Sequence, residues 1–391
     1  MKSPLESNLW KFFLYSATQR RHYIPILSIF FLTLPNTHAQ QIGLYSGIGY
    51  LASFILEIPS GYISDVFGHK RTLIMSKIFM LFSTTLFAFA NSLTNFIFGS
   101  IFLSLGFAFS SGTNSAFMHE SLIAINREKE FTKIMSKISA NASLVSMALI
   151  ISLPFLTKIS IVAPIKVSII FDIVGLIVAL SFISPPERKG FGKTMEVLPK
   201  LLKSVIGTGF YPTAIFVGAI FGVLVGSAPY RSVYLESLGF PIMFIGFVMG
   251  FSRLIWFLLG RKMHLIEEKF GVEKILKFEM FFFPIILILV VLPLHYYVIG
   301  AIFTLATGYF WSRAQIINNH FLTAFNIDPR YKATMLSIRN QVQQLFQFLI
   351  VFFIGFVMKK SYIQGHLVLG VSLFLILLGV LIYVKLTAEK I

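Results

Sequence analysis

The sequence predicts an all-α membrane protein of twelve transmembrane helices arranged as two pseudo-symmetric six-helix bundles. Three observations carry this reading. The 391 residues are 56% hydrophobic and only 13% charged, with a mean hydropathy of +0.81, well outside the range of soluble globular chains. Apolar runs of about 20 residues, each long enough to cross roughly 30 Å of hydrocarbon as a helix, recur along the whole length. Most of the 33 Lys and Arg residues fall on alternate connectors, as they do when a bilayer sorts them.

In chain order the spans are expected at 9–34, 41–63, 72–92, 96–124, 134–156, 164–184, 210–235, 241–260, 275–293, 297–322, 333–358 and 365–385. The first is interrupted by Gln19-Arg20-Arg21-His22. It is read as one span because 23–34 alone gives about 12 residues, or roughly 18 Å of helix. The competing reading is an interfacial helix at 9–17 followed by a short, shifted span. The fourth span carries Ser110, Ser111, Thr113 and Asn114, and the sixth carries Asp172. A polar connector at 185–209 then separates an N-terminal bundle, 1–184, from a C-terminal bundle, 210–391. Arg231 lies in the seventh span, Arg253 in the eighth and Glu279 in the ninth. The tenth holds Trp311, Arg313, Gln315, Asn318, Asn319 and His320. The eleventh places Arg339, Gln343 and Gln347 four residues apart, on one helical face.

The two halves echo each other. Phe67-Gly68 matches Phe270-Gly271, and Ile101-Phe102 with Gly106 matches Ile302-Phe303 with Gly308. Internal repeats of this kind are typical of secondary transporters.

The formal charge of +17 follows the bilayer and so does not indicate nucleic acid. Cationic residues gather in the connectors after even-numbered spans, Lys70, Arg71 and Lys77 among them, which places both termini and the central loop in the cytoplasm. No small-residue cleavage site follows the first span, so it reads as retained. The absence of cysteine removes disulfides, thiolate nucleophiles and Cys-ligated metals. Gly192-Lys193-Thr194 has the ending of a phosphate-binding loop, but Glu187 stands where the first glycine is needed. No cofactor, metal or enzymatic machinery is therefore expected.

After the second span the chain reads Glu57-Ile58-Pro59-Ser60-Gly61-Tyr62-Ile63-Ser64-Asp65-Val66-Phe67-Gly68-His69-Lys70-Arg71. This resembles the loop signature of the major facilitator superfamily, G-x-x-x-D-x-x-G-R/K-R/K, preceded by the E-x-P-S/T-G variant of many bacterial members. Gly61, Asp65, Gly68, Lys70 and Arg71 match, and His69 replaces a common basic residue. The resemblance implies twelve helices, a monomer in a bacterial cytoplasmic membrane, and a cavity lined largely by spans one, four, seven and ten. It also implies a latch in which Asp65 faces the start of the eleventh span, Arg330 to Ser337, with Glu120 pairing Arg71 or Lys70. The fifth span, Ser139 to Ser152, lacks the Gly- and Pro-rich motif usual in drug–proton antiporters of the family.

A mid-span arginine costs about 2.5–3.5 kcal/mol on insertion scales, so such residues must be paired, hydrated or used. Acids are scarce, and the arginine fork suits carboxylate or phosphate. The expected function is secondary active transport of a small organic anion, such as a carboxylate, a polycarboxylate siderophore or an organophosphate, by alternating access. Arg20, Arg21, His22, Asn114, Arg231, Arg253, Trp311, Arg313, Gln315, Asn318, Arg339 and Gln343 are the candidate substrate contacts. Which of Arg20 and Arg21 faces the cavity stays open. His22, Glu120 and Asp172 are the candidates for coupling to a proton or other ion. A proton-coupled drug exporter is the alternative within the resemblance. A transport-inactive receptor or scaffold is the alternative of another class.

Overall fold

The computed structural model describes residues 4–186, 202–203, 205–325 and 332–387. Gly192-Lys193-Thr194, most of the expected linker, and Arg330 with Tyr331 lie outside them, as do the side chains of Asp65, Lys332, Ala333 and Thr334. Among the described residues there are sixteen α-helices and no strand. Within a bilayer helices satisfy their backbone polar groups internally, as closed barrels do between strands.

Each of the twelve expected spans coincides with one helix or with two consecutive ones. The first is α1 (Ser7–Thr18) and α2 (Ile24–Leu32); the second and third are α3 (Ala39–Phe67) and α4 (His69–Ala88). The fourth is α5 (Leu93–Ser110) with α6 (Thr113–Ala124), the fifth α7 (Phe131–Ser152) and the sixth α8 (Ala163–Leu180). The seventh is α9 (Phe210–Phe221) and α10 (Ala228–Ser237), the eighth α11 (Ile245–Gly260) and the ninth α12 (Met263–Leu289). The tenth is α13 (Tyr296–Ser312) and α14 (Ala314–Thr323), followed by α15 (Lys332–Met358) and α16 (Tyr362–Thr387). Seven helical segments are long and apolar enough to cross a membrane by themselves, and α9 with α10 forms an eighth span bent by 42°.

The chain divides into two compact units, Met1–Pro35 with Leu51–Gly192, and Asn36–Tyr50 with Lys193–Ile391. The echo between the two halves extends to backbone conformation. Gly68 separates α3 from α4 at φ +87°, and Gly271 kinks α12 at φ +71°, a region closed to most side chains.

The helix breaks fall in spans one, four, seven and ten. Span one is interrupted over Gln19–Tyr23, and span four at Ser111 and Gly112, where Gly112 takes φ +69°. Span seven passes through a π-helical turn, Gly222–Gly226, just before Pro229. Proline has no N–H to donate and its ring displaces the carbonyl four residues back, so the hydrogen-bond ladder slips there. Gly222 and Gly226 also let this turn press on α15: a Cβ on Gly226 would lie 3.1 Å from the Gln347 carbonyl oxygen. Span ten turns at Arg313.

Packing decides the status of the first segment. Phe12 and Tyr15 of α1 are buried with Leu73, Phe117, Met118 and Phe182. Asn8 is buried too, and its amide nitrogen donates to Ser121 Oγ and to the Ile183 carbonyl. The first segment is thus a core helix of its unit, and the interfacial alternative is set aside. Arg20 and Arg21 sit in the middle of span one, at a break in what was expected to be one continuous helix.

Candidate functional site

In the first unit the break in span one is held by Arg21. Its Nη1 and Nη2 each lie 2.7 Å from one oxygen of Asp172 on α8, with both side chains almost fully buried. Thr84 of α4 donates to Asp172 Oδ2 at 2.6 Å. Arg21 also donates from Nη2 to the Thr18 carbonyl and from Nε to the Gln19 carbonyl. These are oxygens left without an intrahelical donor where α1 stops, and a cation there also complements the negative end of the helix dipole. Arg21 therefore ends a helix and neutralises a buried acid. Neither it nor Asp172 is the unpaired charge that sequence reasoning allowed for.

Arg20 points elsewhere. It is half-buried and donates from Nη2 to Ser143 Oγ of α7 at 3.1 Å. Beside it, Asn114 of α6 donates to Gln19 Oε1 at 3.3 Å, and Asn114 Oδ1 is buried without a hydrogen-bond partner. Gln19, Arg20, Asn114 and Ser143 thus bring the breaks of spans one and four together with span five. His22 is buried, its ring 6.1 Å from that of Phe171.

Lys77 is the functional candidate that sequence reasoning missed, having been counted with the connector charges. It is fully buried; its Nζ donates to Thr18 Oγ1 at 3.0 Å and lies 4.7 Å from the centre of the Tyr15 ring. Gly175 leaves the room for it, since a Cβ there would come 2.8 Å from Lys77 Nζ. The available signal was its place five residues inside the third span.

At the loop signature, Gly61 is exposed, Lys70 half-buried and Arg71 exposed. The expected partner of Glu120 is corrected: its Oε1 lies 3.4 Å from His69 Nε2, the residue that departs from the signature. His69 Nδ1 lies 2.9 Å from Ser64 Oγ, which accepts a hydrogen bond from Thr113 at 2.9 Å. A short imidazole reaches this acid from the first position of α4.

In the second unit Arg313, at the break in span ten, meets Glu279 of α12 at 3.0 Å, both almost fully buried. Tyr309 donates to the same oxygen at 3.0 Å, and the guanidinium lies over the rings of Phe283 and Phe310. Arg313 Nη2 and Glu279 Oε2 have no hydrogen-bond partner. Arg339 of α15 is buried, donates to Asn318 Oδ1 and Asn340 Oδ1, and lies over the Phe321 ring. Arg231 of α10 is half-buried and donates to Thr307 Oγ1 at 2.7 Å. Gln343 is buried, Arg253 half-buried, and Trp311 and Gln315 are exposed. Arg21 and Arg313 are thereby matched by acids. Among the described residues, Arg20, Lys77, Arg231 and Arg339 meet hydroxyl or amide oxygens instead of carboxylates.

Comparison with known proteins agrees with this architecture. At 10–13% identity, three solved structures share the fold. The nucleoside transporter NupG superposes with a TM-score of 0.77 over 98% of this chain and 99% of its own, at 12% identity. A peptide transporter POT in complex with sulfate gives 0.72 over 97% and 94%, at 10% identity. A D-xylose–proton symporter gives 0.71 over 97% of each chain, at 13% identity. An uncharacterized transporter of Buchnera aphidicola is 24% identical over 192 residues, 48% of this chain and 47% of that protein, so the match spans about half of its length. The sequence model of the Major Facilitator Superfamily matches residues 12–351. With twelve spans and this fold, the chain is a multi-pass membrane transporter that belongs to the Major Facilitator Superfamily.

Proposed function

We propose that the protein is a secondary active transporter of a small organic anion, a carboxylate or an organophosphate, working by alternating access with a coupling ion. The observation that supports this reading is the set of buried or half-buried cations, Arg20, Lys77, Arg231 and Arg339, held by neutral oxygens. A hydroxyl or amide oxygen orients such a group without cancelling its charge, so an anionic substrate completes the balance. All four lie on or against the broken spans one, seven and ten. Interrupted helices expose backbone polar groups and are where transporters of this kind build substrate sites.

Arg21 and Arg313 serve the scaffold through Asp172 and Glu279. The candidate substrate contacts are Arg20, Asn114 and Lys77 in the first unit and, separately, Arg231, Asn318 and Arg339 in the second. The 1–184 and 210–391 division, cytoplasmic termini and a bacterial inner-membrane location complete the reading, the last supported by the bacterial relative.

The test is uptake into proteoliposomes of labelled dicarboxylate, tricarboxylate, sugar phosphate, nucleoside, pentose and lipophilic cation, with and without a pH gradient. Saturable anion uptake that collapses in Arg339→Gln is expected. Preference for the nucleoside, the pentose or the cation would overturn the anionic assignment.

A further inference from the structure

The breaks of spans one and four bring more than a cation together. Arg20 donates to Ser143 Oγ, and the residue before it, Gln19, accepts from Asn114 Nδ2 at 3.3 Å. The other end of that amide, Asn114 Oδ1, is closed off from solvent and has no hydrogen-bond partner among the described residues. Native proteins leave few buried polar atoms in this condition, because the atom gives up its bonds to water and gains none in return.

Other asparagines of the same unit show what a structural one looks like. Asn8 uses both ends of its amide: Nδ2 donates to Ser121 Oγ and the Ile183 carbonyl, and Oδ1 accepts the Ile183 N–H at 3.0 Å. Asn95 Oδ1 accepts from Ser92 Oγ at 2.8 Å and from the Asn91 N–H. Asn114 has the same chemistry with one end left open. It is the second residue of α6, directly after the break at Ser111 and Gly112, where Gly112 takes φ +69°. The break therefore delivers an unfinished amide to the neighbourhood of Arg20.

The chemistry of that open end narrows the ligand. An anion drawn to Arg20 brings its charge, and a second group on the same molecule has to serve Asn114. A hydroxyl suits this position, since one oxygen both donates and accepts and so meets the open end whichever way the amides of Asn114 and Gln19 are turned. A methylene in the same place leaves the amide unmet. Sites that hydrogen-bond a substrate hydroxyl discriminate strongly against the analogue without it, because a buried polar group is then left alone.

Building on the anionic reading above, we propose that Asn114 selects hydroxylated anions, hydroxycarboxylates or phosphate esters of polyols, with Arg20 taking the charge and Asn114 the hydroxyl. Asn114 is thus a specificity-determining residue, and the substrate class is narrower than organic anions at large.

Proteoliposome uptake of two matched pairs tests this: malate against succinate, and glycerol 3-phosphate against propyl phosphate. In the wild type the hydroxylated member is expected to show a kcat/KM roughly tenfold to a hundredfold higher than its partner. Asn114→Leu is expected to bring that ratio close to one. An asparagine that only held the helix break would, on replacement, weaken both members alike, so a wild-type ratio kept in Asn114→Leu overturns the proposal. Anion uptake by the wild type that ignores the hydroxyl overturns this proposal alone and leaves the anionic reading standing. Preference for a nucleoside, a pentose or a lipophilic cation over all four anions overturns the anionic reading and this proposal with it. If Asn114→Leu fails to fold by gel filtration, Asn114→Ala carries the same expectation, and equal uptake within the wild-type pairs still overturns the proposal by itself.

Discussion

Arg21 holds Asp172 through both terminal guanidinium nitrogens, each 2.7 Å from its own carboxylate oxygen, across 151 residues of chain. Two fully desolvated charges gain little net stability from each other, but removing one leaves the other buried and uncompensated. Asp172→Asn should therefore destabilise the first unit by about 3–5 kcal/mol, whereas Arg21→Met/Asp172→Leu should recover most of that loss. Denaturant unfolding in detergent decides it. A double variant as unstable as Asp172→Asn would show that the caps on the Thr18 and Gln19 carbonyls outweigh the ion pair.

The neighbouring arginine should behave differently. Arg20 donates to one serine hydroxyl, a neutral-acceptor bond worth about 1 kcal/mol at most sites, so Arg20→Gln should change stability by no more than that. A hydrogen bond to a charged group contributes about 1.5–3 kcal/mol, so KM for the transported anion should rise roughly tenfold to a hundredfold. Proteoliposome kinetics give both numbers. An unchanged KM would remove Arg20 from the substrate contacts.

How much was legible in the chain follows from which interactions are local. A span needs only about 20 apolar residues, so all twelve could be placed, and the motif from Glu57 to Arg71 named the family. The breaks were harder. Span seven reads as continuous apolar sequence, and Pro229 in its C-terminal half gives the kink only once the π-turn at Gly222–Gly226 is seen. Pairing was harder still. Nothing near Arg21 in sequence points to Asp172, and nothing near Arg313 points to Glu279, so the six interior arginines looked like one uncompensated positive field. Lys77 was misplaced because a lysine near the start of a span resembles a connector charge until its burial is known.

Lys77 itself makes the opposite stability forecast from Asp172. Its ammonium carries three donors, while the hydroxyl of Thr18 and the face of Tyr15 are the partners found for it. Exchange for an apolar side chain of similar length removes a desolvated charge, and buried ionic groups replaced in this way often add about 1–4 kcal/mol. Lys77→Met should raise the unfolding midpoint and abolish anion uptake, the trade expected of a residue kept for function. A lower midpoint would instead make the Thr18 contact structural.

The last forecast separates two glycines that the sequence repeat treats as equivalent. Gly106 of α5 faces Met80, whose flexible chain could move from an added methyl, with the Ser76 carbonyl oxygen 3.2 Å away. Gly308 of α13 faces Ile255, whose Cβ would lie 2.6 Å from the new atom, and the Ser252 carbonyl oxygen at 3.0 Å. A β-branched side chain on a helix has one favoured rotamer and cannot yield without moving its backbone. Overpacking of a core costs about 1–3 kcal/mol, so Gly308→Ala should fall near the top of that range and Gly106→Ala near the bottom. Thermal unfolding of the two variants side by side measures the difference. Equal losses would mean that α11 and α13 can slide apart as easily as Met80 can turn.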